Sequence, residues 1–160
     1  MNPRSILPLF VITLFACYDP VHEDAVANLG PEVPGIPEGE LHRAGQPCTT
    51  CHSGNGPGAP EFSIAGTLFQ KKGEALPFVG GIVTVTDARG SVRSVTSNAA
   101  GSFRIERRQW DPIFPLKVTV KFTDELTKVM RTSLNRDGGC AACHRGRGDA
   151  SLMPAIYLDE

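Results

Sequence analysis

Cys48-Thr49-Thr50-Cys51-His52 and Cys140-Ala141-Ala142-Cys143-His144 repeat one pattern, C-x-x-C-H, at two distant places in the chain. The pattern carries its own chemistry. Two thiols three positions apart reach the two vinyl groups on one edge of a haem, and the histidine that follows turns under the iron as its proximal ligand. The residues between the cysteines are small and leave that edge unobstructed. Each motif thus implies one covalent c-type haem, held by Cys48 and Cys51 or by Cys140 and Cys143, with His52 and His144 as the iron ligands. Two C-x-x-C pairs also suit a four-cysteine zinc site, or two disulfides or redox-active pairs. Zinc-ribbon pairs, however, usually stand ~15–20 residues apart. Here a whole domain intervenes, and zinc gives no reason for a histidine after each pair.

The sixth ligands are fewer. Beyond the two motifs the chain holds His22, His42, Met1, Met130 and Met153. His42 stands just upstream of the first motif, where it is a distal ligand or an exposed loop histidine. Met153 follows the second motif and is either a thioether ligand, which raises a haem's potential, or a core residue opening the last strand. Met130 shares a strand face with Leu126 and Leu134, which makes it a core residue. His22 ligates only if the segment carrying it folds back.

The fifth cysteine, Cys17, belongs to an export signal. Arg4 supplies the positive start, residues 6–15 the apolar stretch, and Ala16 the small residue before the cut. The apolar run is shorter than the roughly 20 residues a transmembrane helix needs. Leu14-Phe15-Ala16-Cys17 resembles the lipobox of bacterial lipoproteins. That resemblance implies an acylated Cys17 and anchoring to the outer or inner membrane, on the periplasmic or cell-surface side. Export and c-type haem attachment agree, because the resemblance places both beyond the cytoplasm.

The formal net charge of −1 in 160 residues excludes a nucleic-acid or charge-driven membrane surface. Arg104, Arg107 and Arg108 cluster, while Arg145 and Arg147 follow the second motif, where they face haem propionates or solvent. Arg147-Gly148-Asp149 spells an adhesion tripeptide of a length that arises by chance. The organisation reads as a signal over 1–16 and a Pro/Gly-rich, semi-extended tether over 17–46. A first haem-binding segment follows over 47–61, a β-domain over 62–135, and a second haem-binding segment with a final strand over 136–160.

The β-domain shows period-two alternation between turn signals. Strands are expected over 62–69, 82–86, 91–96, 102–106, 116–122, 126–134 and 155–158, with Val118, Val120 and Phe122 on one face. No long amphipathic helix is visible. Because strands alternate in direction, the two motifs are expected at one pole of the domain. Gly66-Thr67-Leu68, Gly80-Gly81-Ile82-Val83-Thr84-Val85-Thr86-Asp87, Ala88-Arg89-Gly90 and Gly101-Ser102-Phe103-Arg104-Ile105 are similar to carboxypeptidase regulatory-like and collagen-adhesin B-type domains. That resemblance covers 62–123. It implies an antiparallel seven-stranded prealbumin-like β-sandwich without a catalytic site of its own.

Taken together, the motifs, the signal and the β-domain resemble a membrane-anchored dihaem c-type cytochrome. The resemblance implies two c-type haems, one-electron transfer and redox partner proteins, with no catalytic residues. Two other classes stay open. One is a haem enzyme or sensor with an open five-coordinate iron. The other is a non-haem β-sandwich adhesion or structural lipoprotein.

Overall fold

The computed structural model describes residues 19–32, 34–36, 38–145 and 153–159. The export signal, the expected anchor at Cys17, Arg147 and the adhesion-like tripeptide lie outside the described residues. Among the described residues seven strands form: β1 (Phe62–Lys71), β2 (Ile82–Thr86), β3 (Val92–Thr96), β4 (Ser102–Glu106), β5 (Lys117–Lys121), β6 (Thr127–Val129) and β7 (Ile156–Asp159). They make a three-stranded sheet in the order β4-β1-β7 and a four-stranded sheet in the order β3-β2-β5-β6.

Alternation drives this arrangement. Val83 and Val85 of β2, Phe103 and Ile105 of β4, and Val118 and Val120 of β5 all turn inward, where they join Ile64 and Leu68 of β1 in one core cluster. Phe122 extends the β5 face into the same cluster. Ile64, Leu68, Val83, Val85 and Leu116 are the largest fully buried side chains; each contributes about 1.5–3 kcal/mol relative to exposure. The turns are set by short polar side chains. Asp87 Oδ1 accepts the N–H groups of Arg89 and Ser91 between β2 and β3. Asn98 Oδ1 accepts those of Ala100 and Ser102 before β4.

Three features depart from the sequence reading. First, β7 runs parallel to β1, pairing Leu68 with Ile156 and Phe69 with Tyr157. The other strand pairs are antiparallel. Parallel neighbours need a long crossover, and the chain between β1 and β7 supplies it. Second, β6 is three residues long rather than spanning 126–134; beyond it the Met130 N–H to Val118 O bond and an isolated bridge, Leu116 to Leu134, continue the pairing. Third, the expected tether contains a helix, α1 (Pro20–Ala27). Asp19 caps it, its Oδ1 accepting from the Val21 and His22 N–H groups at 3.1 Å each. Pro20 sits in the first turn, where its missing N–H costs nothing. Proline density misleads here, because Pro31 and Pro34 come only after the helix has ended.

The segment after α1 also folds back. Gly45 N donates to Thr67 Oγ1 at 2.9 Å, Asn98 Nδ2 to Glu40 O at 2.9 Å, and Arg104 pairs with Glu40 at 2.6 Å. These contacts help explain why the first eight residues of β1 are all buried. One side of the strand meets the core; on the other, Thr67 meets the folded-back segment and Phe69 packs with Ala155 and Tyr157.

Candidate functional site

The first motif forms a single helical turn, α2 (Cys48–Cys51), immediately before β1. His52 closes it, its N–H bonding Cys48 O at 2.9 Å, and Phe62 N reaches back to His52 O at 2.8 Å. The second motif opens as a 3-10 turn over Cys140–Ala142. His144 N bonds Cys140 O at 2.9 Å, the same closure as in the first motif.

The structure brings the two motifs together on β1. Gly138 O accepts the Ala65 N–H at 3.0 Å, and Gly139 bridges Ala65 in parallel, so the second motif docks on the strand edge beside β7. The approach is close enough to require glycine. A Cβ on Gly138 would lie 1.8 Å from Ser63 O, and one on Gly139 would lie 2.1 Å from Thr49 Oγ1. That second contact joins the motifs directly, since Thr49 lies between Cys48 and Cys51. The shared pole expected from strand alternation is realised for the motifs themselves.

Each histidine is held by the same device. His52 Nδ1 donates to Pro60 O at 2.9 Å, and His144 Nδ1 donates to Pro154 O at 2.6 Å. A carbonyl on Nδ1 fixes the tautomer in which Nε2 carries the lone pair, the arrangement that metal-binding imidazoles use. His52 is buried and stacks on Phe62 with ring centroids 4.2 Å apart. Burial holds the His52 imidazole below its ordinary value; the Pro60 hydrogen bond opposes this, and the charges of His42 and Arg104 add to the lowering. The ring is therefore neutral and able to bind a metal at neutral pH.

Each motif opens onto its own cavity. The first, about 770 Å³, is lined by Cys48, Cys51, His52 and His42, with Arg43 and Arg104 among the surrounding charges. The second, about 820 Å³, is lined by Cys140, Cys143, His144, Met130 and Met153, with Lys72, Lys128 and Arg136. Both are of the size that cofactors occupy. Glu32, Glu38 and Glu40 also line the first, where Arg43 pairs with Glu32 and Arg104 with Glu40, and Asp137 lines the second. His42 lies in the first cavity with its ring centroid 5.9 Å from that of His52. Its Nδ1 is bonded to Gly39 O, so it too keeps Nε2 as the lone-pair nitrogen. Arg145 instead donates to Ala142 O at 2.8 Å, within its own motif. His22 Nε2 is buried without a hydrogen-bond partner, although His22 is not among the residues lining either cavity.

The four motif cysteines are free thiols. Burial pushes the Cys140 thiol up to about 12, and it also raises Cys48, whereas Cys143 is exposed. Among the described residues no three His, Cys, Asp or Glu side chains converge to hold a metal ion. A single site closed by both cysteine pairs is therefore not formed. Among the same residues no helix is long and apolar enough to cross a membrane.

The proline carbonyls that orient the histidines, and Arg43 beside the first cavity, had escaped sequence reasoning. A backbone carbonyl leaves no residue-type signal, and Arg43 lies within the segment read as a tether. No protein-family model matches the chain, and no curated protein or solved structure matches it.

Proposed function

We propose that the protein is a dihaem c-type cytochrome that carries single electrons between redox partner proteins. One observation supports this most: two C-x-x-C-H turns, each with its histidine fixed through Nδ1 by a proline carbonyl, open onto separate cavities. In this reading Cys48 and Cys51 hold one macrocycle and Cys140 and Cys143 the other, with His52 and His144 on the irons. When bound, the haems supply the one-electron chemistry. The chain's part is to orient both imidazoles, offer Lys72, Lys128 and Arg136 to the propionates of the second haem, and limit water around His52; beside the first cavity Arg43 and Arg104 are paired with Glu32 and Glu40. The Thr49–Gly139 contact keeps the two attachment sites adjacent, which suits electron exchange between them. Among the described residues no three His, Cys, Asp or Glu side chains converge, which weighs against zinc.

The fold proposed for the β-domain is the prealbumin-like sandwich, supported by two sheets that share one core. Cys17 is proposed as a lipid anchor holding the protein at the periplasmic or outer surface of a membrane. Intact mass spectrometry tests the central assignment. Co-expression with a c-type haem maturation system should add the mass of two haems. Cys48→Ala with Cys51→Ala should remove one, and changing all four motif cysteines should remove both. An unmodified wild-type mass under the same maturation conditions contradicts the proposal.

A further inference from the structure

We infer that the two irons have unequal sixth ligands: His42 completes the first, and Met130, rather than Met153, completes the second. This rests on the reading that each motif holds a haem. The argument begins behind the imidazoles. A ring that binds iron through Nε2 turns its Nδ1 away from the metal, so the carbonyl on Nδ1 marks the side remote from the sixth position. For His144 that carbonyl belongs to Pro154. Met153 directly precedes Pro154, so its backbone is fixed on the proximal side. Its side chain would have to pass around the rim of a flat ring tethered by Cys140 and Cys143 to reach the opposite face.

Met130 stands on different scaffolding. It follows β6, its N–H bonds Val118 O at 3.0 Å, and it lines the second cavity from the four-stranded sheet together with Val118 and Val120. Met130 is only half-buried, packing on the core while still bordering the cavity. An unbranched thioether suits both tasks.

The first cavity follows the same logic with a different donor. Pro60 O lies behind His52, and His42 arrives from a separate segment. Two imidazoles bound through nitrogen at about 2.0 Å to opposite faces of one metal have ring centroids about 6 Å apart. The observed 5.9 Å is of that size, and in both rings a carbonyl on Nδ1 leaves Nε2 as the nitrogen with the lone pair. Among the described residues lining the second cavity, His144 is the one imidazole. Because a methionine ligand raises the potential, a haem held by Met130 would have a higher potential than one held by two histidines in like surroundings.

Proton NMR of the reduced, haem-loaded full chain tests this. Wild type should show one methionine methyl resonance displaced far upfield by the ring current of a bound haem. Met130→Leu, which conserves volume, should abolish that resonance, lower the potential of one haem and open it to carbon monoxide. Met153→Leu should leave all three unchanged. Loss of the resonance in Met153→Leu, its persistence in Met130→Leu, or its absence from wild type carrying two covalent haems overturns the ligand assignment alone. Wild type with no covalent haem overturns this assignment and the proposed function together.

Discussion

Replacing Gly139 by alanine tests whether the two motifs touch. The backbone there is extended (φ −80°), so alanine introduces no conformational strain. The cost is steric. The new Cβ would stand 2.1 Å from Thr49 Oγ1 and 3.2 Å from Thr49 Cβ, where ordinary contact begins near 3.4 Å. One motif must retreat by on the order of 1 Å, an overpacking that costs about 1–3 kcal/mol. Thr49→Ala removes the offending oxygen and leaves the milder contacts, 3.2 Å each, with Thr49 Cβ and Asp137 Oδ1. The double variant should therefore recover about 1–2 kcal/mol relative to the sum of the singles, within the usual range for residues in contact. Thermal unfolding of the haem-free protein under reducing conditions measures this, because each kcal/mol moves Tm by about 2–4 °C in a chain of this size. Additivity within about 0.3–0.5 kcal/mol would refute the contact, and with it the adjacency of the two attachment sites.

Leu116 has no exposed surface, so Leu116→Ala should cost about 2–5 kcal/mol in urea unfolding; a loss below 1 kcal/mol would mean the core is looser than described. In the haem-free protein, timed alkylation read by peptide mass spectrometry should modify exposed Cys143 well before Cys140, whose thiol burial pushes up to about 12; equal rates would contradict that burial. Burial pushes the Asp87 carboxyl up, but the N–H groups of Ser91, Ile113 and Arg89 outweigh it and hold the carboxyl below its ordinary value. The stability this contributes is present above the unfolded-state value and lost as pH falls through the lower folded-state value. Asp87→Asn should therefore flatten the acid limb of Tm against pH, and an unchanged slope would show that the carboxylate is not bonded in solution.

Much of the scaffold was legible because its strands obey one rule. Val83 and Val85, or Phe103 and Ile105, alternate with polar neighbours, and the bounds of β2 and β4 follow directly. The turns at Asp87 and Asn98 were equally readable, since short side chains that accept backbone N–H groups favour turns. What escaped depends on position rather than composition. Pro20 at the start of α1 is harmless, whereas the same residue two turns later would end the helix. The parallel pairing of β7 with β1 comes from where the chain returns after the second motif, which no local pattern encodes. The motif residues declared themselves, but their surroundings did not. Met153 is nearer Cys143 in sequence, whereas the Pro154 carbonyl behind His144, on which the ligand assignment proposed above rests, leaves no trace in the sequence. Met130 carried the signature of a core residue because it is one on its other flank.

The most direct test of the account is the optical spectrum of the full chain, expressed with a c-type haem maturation system and denatured in alkaline pyridine. The account predicts a red protein that retains about two covalent haems per chain after denaturation. A colourless protein, or haem that washes out on denaturation, would contradict it and leave the two C-x-x-C-H turns to be explained by other chemistry.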